Sequence, residues 1–235
     1  MANLVIIPTY NEIENIETIL AKVFALSPSF DVLIVDDGSP DGTANAVKIL
    51  AQNTYTKQLF LQERAGKMGL GTAYIHGFKW ALERNYEYIF EMDADLSHNP
   101  LDLPRLLNAC EQGAAMSIGS RYISGVNVVN WPLFRILLSY GASFYVKLVT
   151  GMTIQDPTAG FVCYTRAALE SLNLDKIEFI GYAFQIEMKY KIWRQGLKLI
   201  EVPIVFTDRT KGQSKMHVGI IKEAIFGVLK LKFFS

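Results

Sequence analysis

Five short apolar runs, at residues 4–7, 31–36, 58–62, 87–92 and 115–119, alternate with stretches of helical periodicity at about 12–26, 41–52, 70–84 and 102–112. No other feature restricts the fold of this chain as strongly. Strands this short and this apolar are buried on both faces, and a helix between successive strands demands parallel crossovers. The expectation is an α/β fold, a mostly parallel central sheet flanked by helices, of the nucleotide-binding kind. In such open sheets ligands bind just outside the carboxyl ends of the strands. The residues that follow each apolar run are therefore where chemistry is expected.

Those residues are polar and mostly acidic. The first run leads into Pro8-Thr9-Tyr10-Asn11-Glu12, the second into Asp36-Asp37-Gly38-Ser39, and the fourth into Asp93-Ala94-Asp95-Leu96-Ser97-His98. Side chains at i and i+2 of an extended segment point the same way, so Asp93 and Asp95 can converge on one hard cation. Mg²⁺ or Mn²⁺ held by one or two carboxylates completes its shell with water and substrate phosphates, which points to a diphosphate donor. An Asp-x-Asp alone also suits an ordinary solvated turn. Three acidic strand ends, bearing Glu12, Asp37 and the Asp93/Asp95 pair, form a rim suited to a metal, a ribose and a base.

Past Gly119-Ser120-Arg121-Tyr122 the regular alternation stops. Asn130-Trp131-Pro132 opens a long helix through Val149, with Asn as cap, Pro in the first turn and Gly151 as terminator. A strand at 160–164, helices at about 166–172 and 182–195 and a strand at 199–206 follow. From His217 to Ser235 a helix is expected, with Ile220, Ile221, Ala224, Ile225, Val228 and Leu231 in one stripe and Phe226, Phe233 and Phe234 outside it. Surplus aromatics beside lysines suit a helix lying in a membrane surface, and equally one docked on the domain. The division expected is one domain over 1–216, with a donor and metal half at 1–120 and an acceptor half at 121–216, and an amphipathic helix at 217–235. The 235 residues carry no net charge, yet residues 1–120 sum to −7 and residues 121–235 to +7. An acidic half that holds a metal and a basic half that meets an anionic second substrate or surface fit that split.

Several classes are disfavoured. Cys110 and Cys163 have no metal-ligand spacing and suggest a reducing compartment, and the N-terminus enters a strand without the pattern of a signal peptide. A cytoplasmic protein is expected. The charge-free stretch from Ile136 to Val146 falls short of the roughly 20 residues of a spanning helix and reads as a core or interfacial helix. Gly66-Lys67-Met68-Gly69-Leu70-Gly71-Thr72 lacks both the P-loop and the dinucleotide spacing. It reads as a loop entering the next helix, with Lys67 either beside donor phosphates or in a plain glycine-rich turn. His76, His98 and His217 are isolated, and no nucleophilic triad is supported. Neutral balance without aromatic interleaving argues against nucleic acid. In the basic half, Arg121 ends a strand, Arg135 and Ser139 share a helical face, and Asp208-Arg209-Thr210-Lys211-Gly212-Gln213-Ser214-Lys215 sets cations around a glycine. As a set they suggest a phosphorylated acceptor.

Taken in order, these motifs together with Asp36 to Thr43, Gly69-Leu70-Gly71-Thr72-Ala73 and Asp156-Pro157-Thr158-Ala159-Gly160-Phe161 resemble those of polyprenol (dolichol) phosphate mannosyltransferases, inverting GT-A glycosyltransferases of family 2. The resemblance covers nearly the whole chain. It implies a GT-A, Rossmann-like fold with interfacial and C-terminal amphipathic helices, and transfer of mannose from GDP-mannose to a polyprenyl or dolichyl phosphate. The enzyme would be peripheral on the cytoplasmic face of a membrane, with a separate membrane-anchoring subunit as a further partner. By similarity, Pro8, Tyr10, Glu12, Asp37 and Ala94 bind the donor, Asp93 and Asp95 hold Mg²⁺ or Mn²⁺, and Arg209 and Lys215 close over the diphosphate or the acceptor. Arg121, Arg135 and Ser139 bind the acceptor phosphate, and Asp93, Asp95 and Arg121 carry catalysis. Ser97 stands where some relatives carry Gln, which leaves the third metal contact open. Two alternatives stand beside this reading, a transferase using a UDP-sugar and a non-catalytic nucleotide-sugar binding subunit. Were the acceptor a sugar hydroxyl, Asp156 would be the leading general base.

Overall fold

The computed structural model describes residues 2–181, 183–209 and 226–233. Its centre is a seven-stranded sheet in the order β3-β2-β1-β4-β7-β5-β8. The strands are β1 (Ala2–Thr9), β2 (Asp31–Asp36), β3 (Leu59–Glu63), β4 (Tyr86–Glu91), β5 (Met116–Ser120), β7 (Val162–Thr165) and β8 (Leu199–Pro203). The first four are parallel neighbours and β5 runs parallel to β8, whereas β7 lies antiparallel between β4 and β5. Leu4 to Ile7 and Val32 to Val35 are fully buried, as strands covered on both faces must be.

Helices α1 (Ile13–Phe24), α2 (Thr43–Asn53), α3 (Leu70–Leu82) and α4 (Leu103–Glu111) follow the first, second, third and fourth strands. Each expected helix of the first half is present within two residues of its expected start. The second half departs more. The expected strand at 199–206 is two pieces, β8 and the short β9 (Phe206–Thr207), and β9 pairs in parallel with β6 (Val128–Val129) to make a separate two-stranded ribbon. Ile204 and Val205, between β8 and β9, belong to neither strand.

Helix α5 (Leu133–Thr150) has αL Gly151 as its C-cap and runs along the domain with little of its surface covered. Ser143, Val146 and Thr150 are its buried residues, whereas Leu133, Phe134 and Leu148 are each 70% or more exposed. It is therefore no core helix. Where the charge-free stretch alone reads as too short to span, the helix as a whole has the length and composition to cross a membrane, and only 17% of it is buried in the protein. Helix α6 (Arg166–Glu170) and helix α7 (Ala183–Arg194) complete the second layer. Residues 226–233 are helical and dock through Gly227, Val228 and Leu231, with Val228 and Leu231 joining the main core cluster. Phe226 and Phe233 point outward at 71% exposure.

Candidate active site

Parallel register brings the acidic strand ends together. Thr9 pairs with Asp36 across β1 and β2, and Ile6 with Glu91 across β1 and β4, so Tyr10 to Glu12, Asp37 and Asp93 emerge along one edge. Asp36 organises the turn, accepting from Thr9 Oγ1 (2.7 Å), Ser39 N (2.9 Å) and Ser39 Oγ (2.6 Å). The next carboxylate, Asp37, is gripped by Arg64, with Nε at 2.6 Å and Nη2 at 2.8 Å from its two oxygens. Arg64 Nη1 also donates to Thr72 Oγ1 at 2.8 Å. Arg64 carried no sequence signal, because an arginine after a strand resembles any surface charge.

Glu12 is buried, accepts from Asn15 Nδ2 and anchors its backbone N–H on Thr43 Oγ1 at 3.1 Å. Pro8 lies in β1, and Lys67 Nζ sits 5.3 Å from the centre of the Tyr10 ring. The glycines of the 66–72 loop have a packing reason. A Cβ on Gly71 would lie 2.8 Å from Phe179 O and from the Phe184 ring, and one on Gly69, at φ +102°, 2.9 Å from Ile180 O.

The Asp93-Ala94-Asp95 segment leaves β4 in a turn that includes Leu96 at φ +63°. Ser97 N donates to Asp95 Oδ1 at 3.0 Å, and Arg209 Nη2 lies 3.0 Å from Asp95 Oδ2. Burial works against ionisation of Asp95, but the bonds from Ser97 and the Arg209 charge hold its carboxyl below the usual range. Asp93 moves the other way, up to about 7, through desolvation first and repulsion from Asp95 second. His98 is buried between Phe161 and Phe206, accepts from Asp93 N at 3.2 Å, and is driven down to about 4 by burial, so it is neutral.

Two hard oxygen donors side by side, one already facing a guanidinium, fit a divalent cation. No group of three or more His, Cys, Asp or Glu gathers at one point among the described residues. The donor set thus suits an ion that keeps waters and takes phosphate oxygens rather than one caged by protein.

Across the cleft Arg121 is locked. Its Nε and Nη2 each donate to an oxygen of Asp156 at 2.7 Å, Nη2 also reaches Thr158 Oγ1 at 2.8 Å, and its own backbone N–H donates to Asp156 Oδ2 at 3.0 Å. Asp156 is fully buried; burial alone would raise its pKa, yet Arg121 holds it below the usual range. Glu201 fixes the same loop by accepting from Gln155 N (2.7 Å) and Asp156 N (2.9 Å).

Arg135 places Nη1 2.9 Å from each oxygen of Asp208 and stacks 4.0 Å from the Trp131 ring, which also lies 5.6 Å from Arg121. Ser139 Oγ accepts from Tyr122 Oη at 2.7 Å, and the Tyr122 ring is 5.2 Å from Arg121. Arg121, Arg135 and Ser139 are thus gathered around two aromatic rings. Lys215 lies outside the described residues.

Behind both halves runs a buried polar chain that the sequence reading did not single out. Lys189 donates to Ala159 O (2.7 Å) and Gln185 Oε1 (3.0 Å), the Gln185 amide donates to Glu91, and Tyr164 Oη donates to Glu91 Oε1 at 3.0 Å. Burial pushes Glu91 up to about 7 and Lys189 down to about 8. A Glu inside an apolar strand was the available signal.

A mostly parallel sheet whose acidic strand ends face a basic, aromatic-lined wall is the GT-A glycosyltransferase arrangement. The chain belongs to glycosyl transferase family 2, whose model matches residues 4–172, and it is a glycosyltransferase. It is 45% identical over 225 residues to the polyprenol monophosphomannose synthase of Mycolicibacterium smegmatis, covering 96% of this chain and 84% of the relative. It is 44% identical over 230 residues to the undecaprenyl-phosphate mannosyltransferase of Micrococcus luteus, covering 98% and 93%. Among solved structures, glucosyl-3-phosphoglycerate synthase from Mycobacterium tuberculosis, in complex with Mn²⁺, UDP and phosphoglyceric acid, is similar with a TM-score of 0.73. That match spans 100% of this chain and 79% of the other at 17% identity, a likeness of fold.

Proposed function

We propose that this glycosyltransferase moves mannose from GDP-mannose to the phosphate of a polyprenyl or dolichyl phosphate, with inversion, releasing GDP. The names of its two relatives, both above 40% identity over nearly the whole chain, support a polyprenyl phosphate acceptor and mannose as the sugar. The observation that carries the reading is the state of Asp156, whose two oxygens are taken by Arg121 and which has no exposed surface. A carboxylate so committed takes no proton from a hydroxyl acceptor. A phosphate acceptor is already anionic near neutral pH and needs positioning rather than deprotonation.

In this reading Asp37 and Glu12 bind the nucleoside, with Arg64 fixing the Asp37 carboxylate, and Pro8, Tyr10 and Ala94 line the donor site. Asp93 and Asp95 hold Mg²⁺ or Mn²⁺, which supplies Lewis-acid stabilisation of charge on the departing diphosphate. Arg209, already on Asp95, is placed to add its charge to that diphosphate, and Lys215 is assigned the same role by resemblance. Arg121, Arg135 and Ser139 receive the acceptor phosphate, one oxygen of which attacks the anomeric carbon as the bond to the diphosphate breaks. Helix α5 supports a membrane-surface location: Leu133, Leu137, Phe144 and Leu148 share one exposed face, opposite the face that packs on the domain.

Offering an isoprenyl phosphate, the matching isoprenol and methyl mannoside as acceptors to the protein with labelled GDP-mannose tests the reading. Label is expected in the phosphate product alone, and transfer to either hydroxyl acceptor would contradict it.

A further inference from the structure

The segment after β9 joins the two sites. Asp208, tied to β6 through its N–H to Val129 O at 3.0 Å, presents both carboxylate oxygens to Arg135 Nη1 at 2.9 Å. The very next residue, Arg209, sits 3.0 Å from Asp95 Oδ2. Each charge has the sign of the substrate group expected at its partner, a carboxylate where a phosphate would lie and a guanidinium where a cation would lie.

We propose that Asp208 occupies the acceptor-phosphate contact on Arg135 until donor binding draws it away, so that Asp208 sets the order in which the substrates bind. This rests on the proposed function for the identity of the acceptor group. Both oxygens of Asp208 converge on the Nη1 of Arg135, so a phosphate monoester that seeks that nitrogen competes with the carboxylate for it. Neighbouring residues in one chain do not move independently. A diphosphate beside Asp95 offers Arg209 phosphate oxygens, and a shift of Arg209 toward them pulls on Asp208. The coupling is reciprocal: whatever factor the donor adds to acceptor binding, the acceptor adds to donor binding. The opposite role is also chemically sensible, since Asp208 would orient Arg135 much as Asp156 orients Arg121. The two roles predict opposite signs.

The test is calorimetric binding of geranyl phosphate to the full chain, with and without GDP plus Mn²⁺. For the wild type, GDP and Mn²⁺ are expected to tighten binding about threefold to tenfold, the range of a partly exposed ion pair in which one guanidinium nitrogen faces both carboxylate oxygens. D208N is expected to bind geranyl phosphate alone as tightly as the wild type does with GDP, and to lose the dependence on it. R209Q, which removes the group on which the donor pulls while leaving Asp208 on Arg135, is expected to bind geranyl phosphate as the wild type does without GDP and to lose the dependence on it. Weaker binding by D208N, or a dependence on GDP unchanged in both variants, overturns the inference while leaving the acceptor assignment standing. A wild type that binds geranyl phosphate under neither condition overturns the acceptor assignment and this inference with it.

Discussion

Asp156→Asn isolates the charge of the ion pair at the centre of the acceptor wall. The amide keeps the carboxylate's shape but leaves Arg121, 9% exposed, facing an amide. Asp156 accepts three bonds from Arg121 and one from Thr158 Oγ1 at 3.2 Å, and an amide oxygen can keep only part of that set. Removing one partner of a buried pair costs about 3–5 kcal/mol. At roughly 2–4 °C per kcal/mol for a chain of this size, the melting temperature should fall by about 6–20 °C. The pH dependence has a definite sign. Because the carboxyl is held below its usual value in the folded state, its contribution is complete above the unfolded value of about 3.9 and disappears as pH falls through the folded value. Thermal unfolding followed by circular dichroism should therefore show a gap between wild type and variant that is constant from about pH 5 to 8 and closes below about pH 4. A variant melting within about 2 °C of wild type at pH 7 would refute the reasoning, because Arg121 would then not require the charge and Asp156 would again be eligible as a base.

Asp95→Asn should leave the fold intact and abolish nearly all turnover together with the metal dependence of donor binding; full activity of that variant in EDTA would remove the metal role. Arg135→Ala should lower catalytic efficiency toward the lipid phosphate roughly tenfold to hundredfold, the value of one charge-assisted contact of about 1.5–3 kcal/mol, while calorimetry shows GDP-mannose affinity no weaker than in the wild type. A collapse of donor affinity would move Arg135 to the donor site. Replacing Leu137 and Phe144 by Glu should reduce capture by anionic liposomes about tenfold or more, since each buried apolar side chain is worth about 1.5–3 kcal/mol, without lowering the melting temperature. Deletion after Lys215 should weaken capture and also lower the melting temperature, because it removes the buried Val228 and Leu231.

The donor half was legible because its signals are local. Uniformly apolar runs such as Leu4 to Ile7 announce buried strands, and strand ends in a parallel sheet share one edge whatever the loops do. The resemblance then attached roles to those ends. The acceptor half was less legible because its key contacts join residues far apart in sequence. Nothing near Arg121 announces that Asp156 will grip it, or near Arg135 that Asp208 will, since such pairs exist only once β7 has inserted antiparallel between β4 and β5 and the β6–β9 ribbon has formed. The same holds for Arg64 on Asp37. The glycines at 69 and 71 read only as a loop entering the next helix, and what requires them is the approach of Ile180, Phe179 and Phe184, which no spacing rule encodes. Helix α5 ends at Gly151 as expected, but it begins only at Leu133, with Pro132 as an N-cap that lends no side-chain bond, and Asn130, at φ +63°, lies outside it rather than capping it; its extreme exposure is a property of what fails to pack on it.

The most direct measurement is a donor panel. Purified protein is mixed with vesicles containing polyprenyl phosphate, Mg²⁺ or Mn²⁺, and separately GDP-mannose, UDP-glucose and UDP-N-acetylglucosamine, and the organic phase is read by mass spectrometry. The expected result is polyprenyl phosphate bearing one hexose with GDP-mannose alone, absent when EDTA replaces the metal. Product formed from a UDP-sugar in preference to GDP-mannose, or no lipid-linked hexose from any donor, would contradict the proposed function.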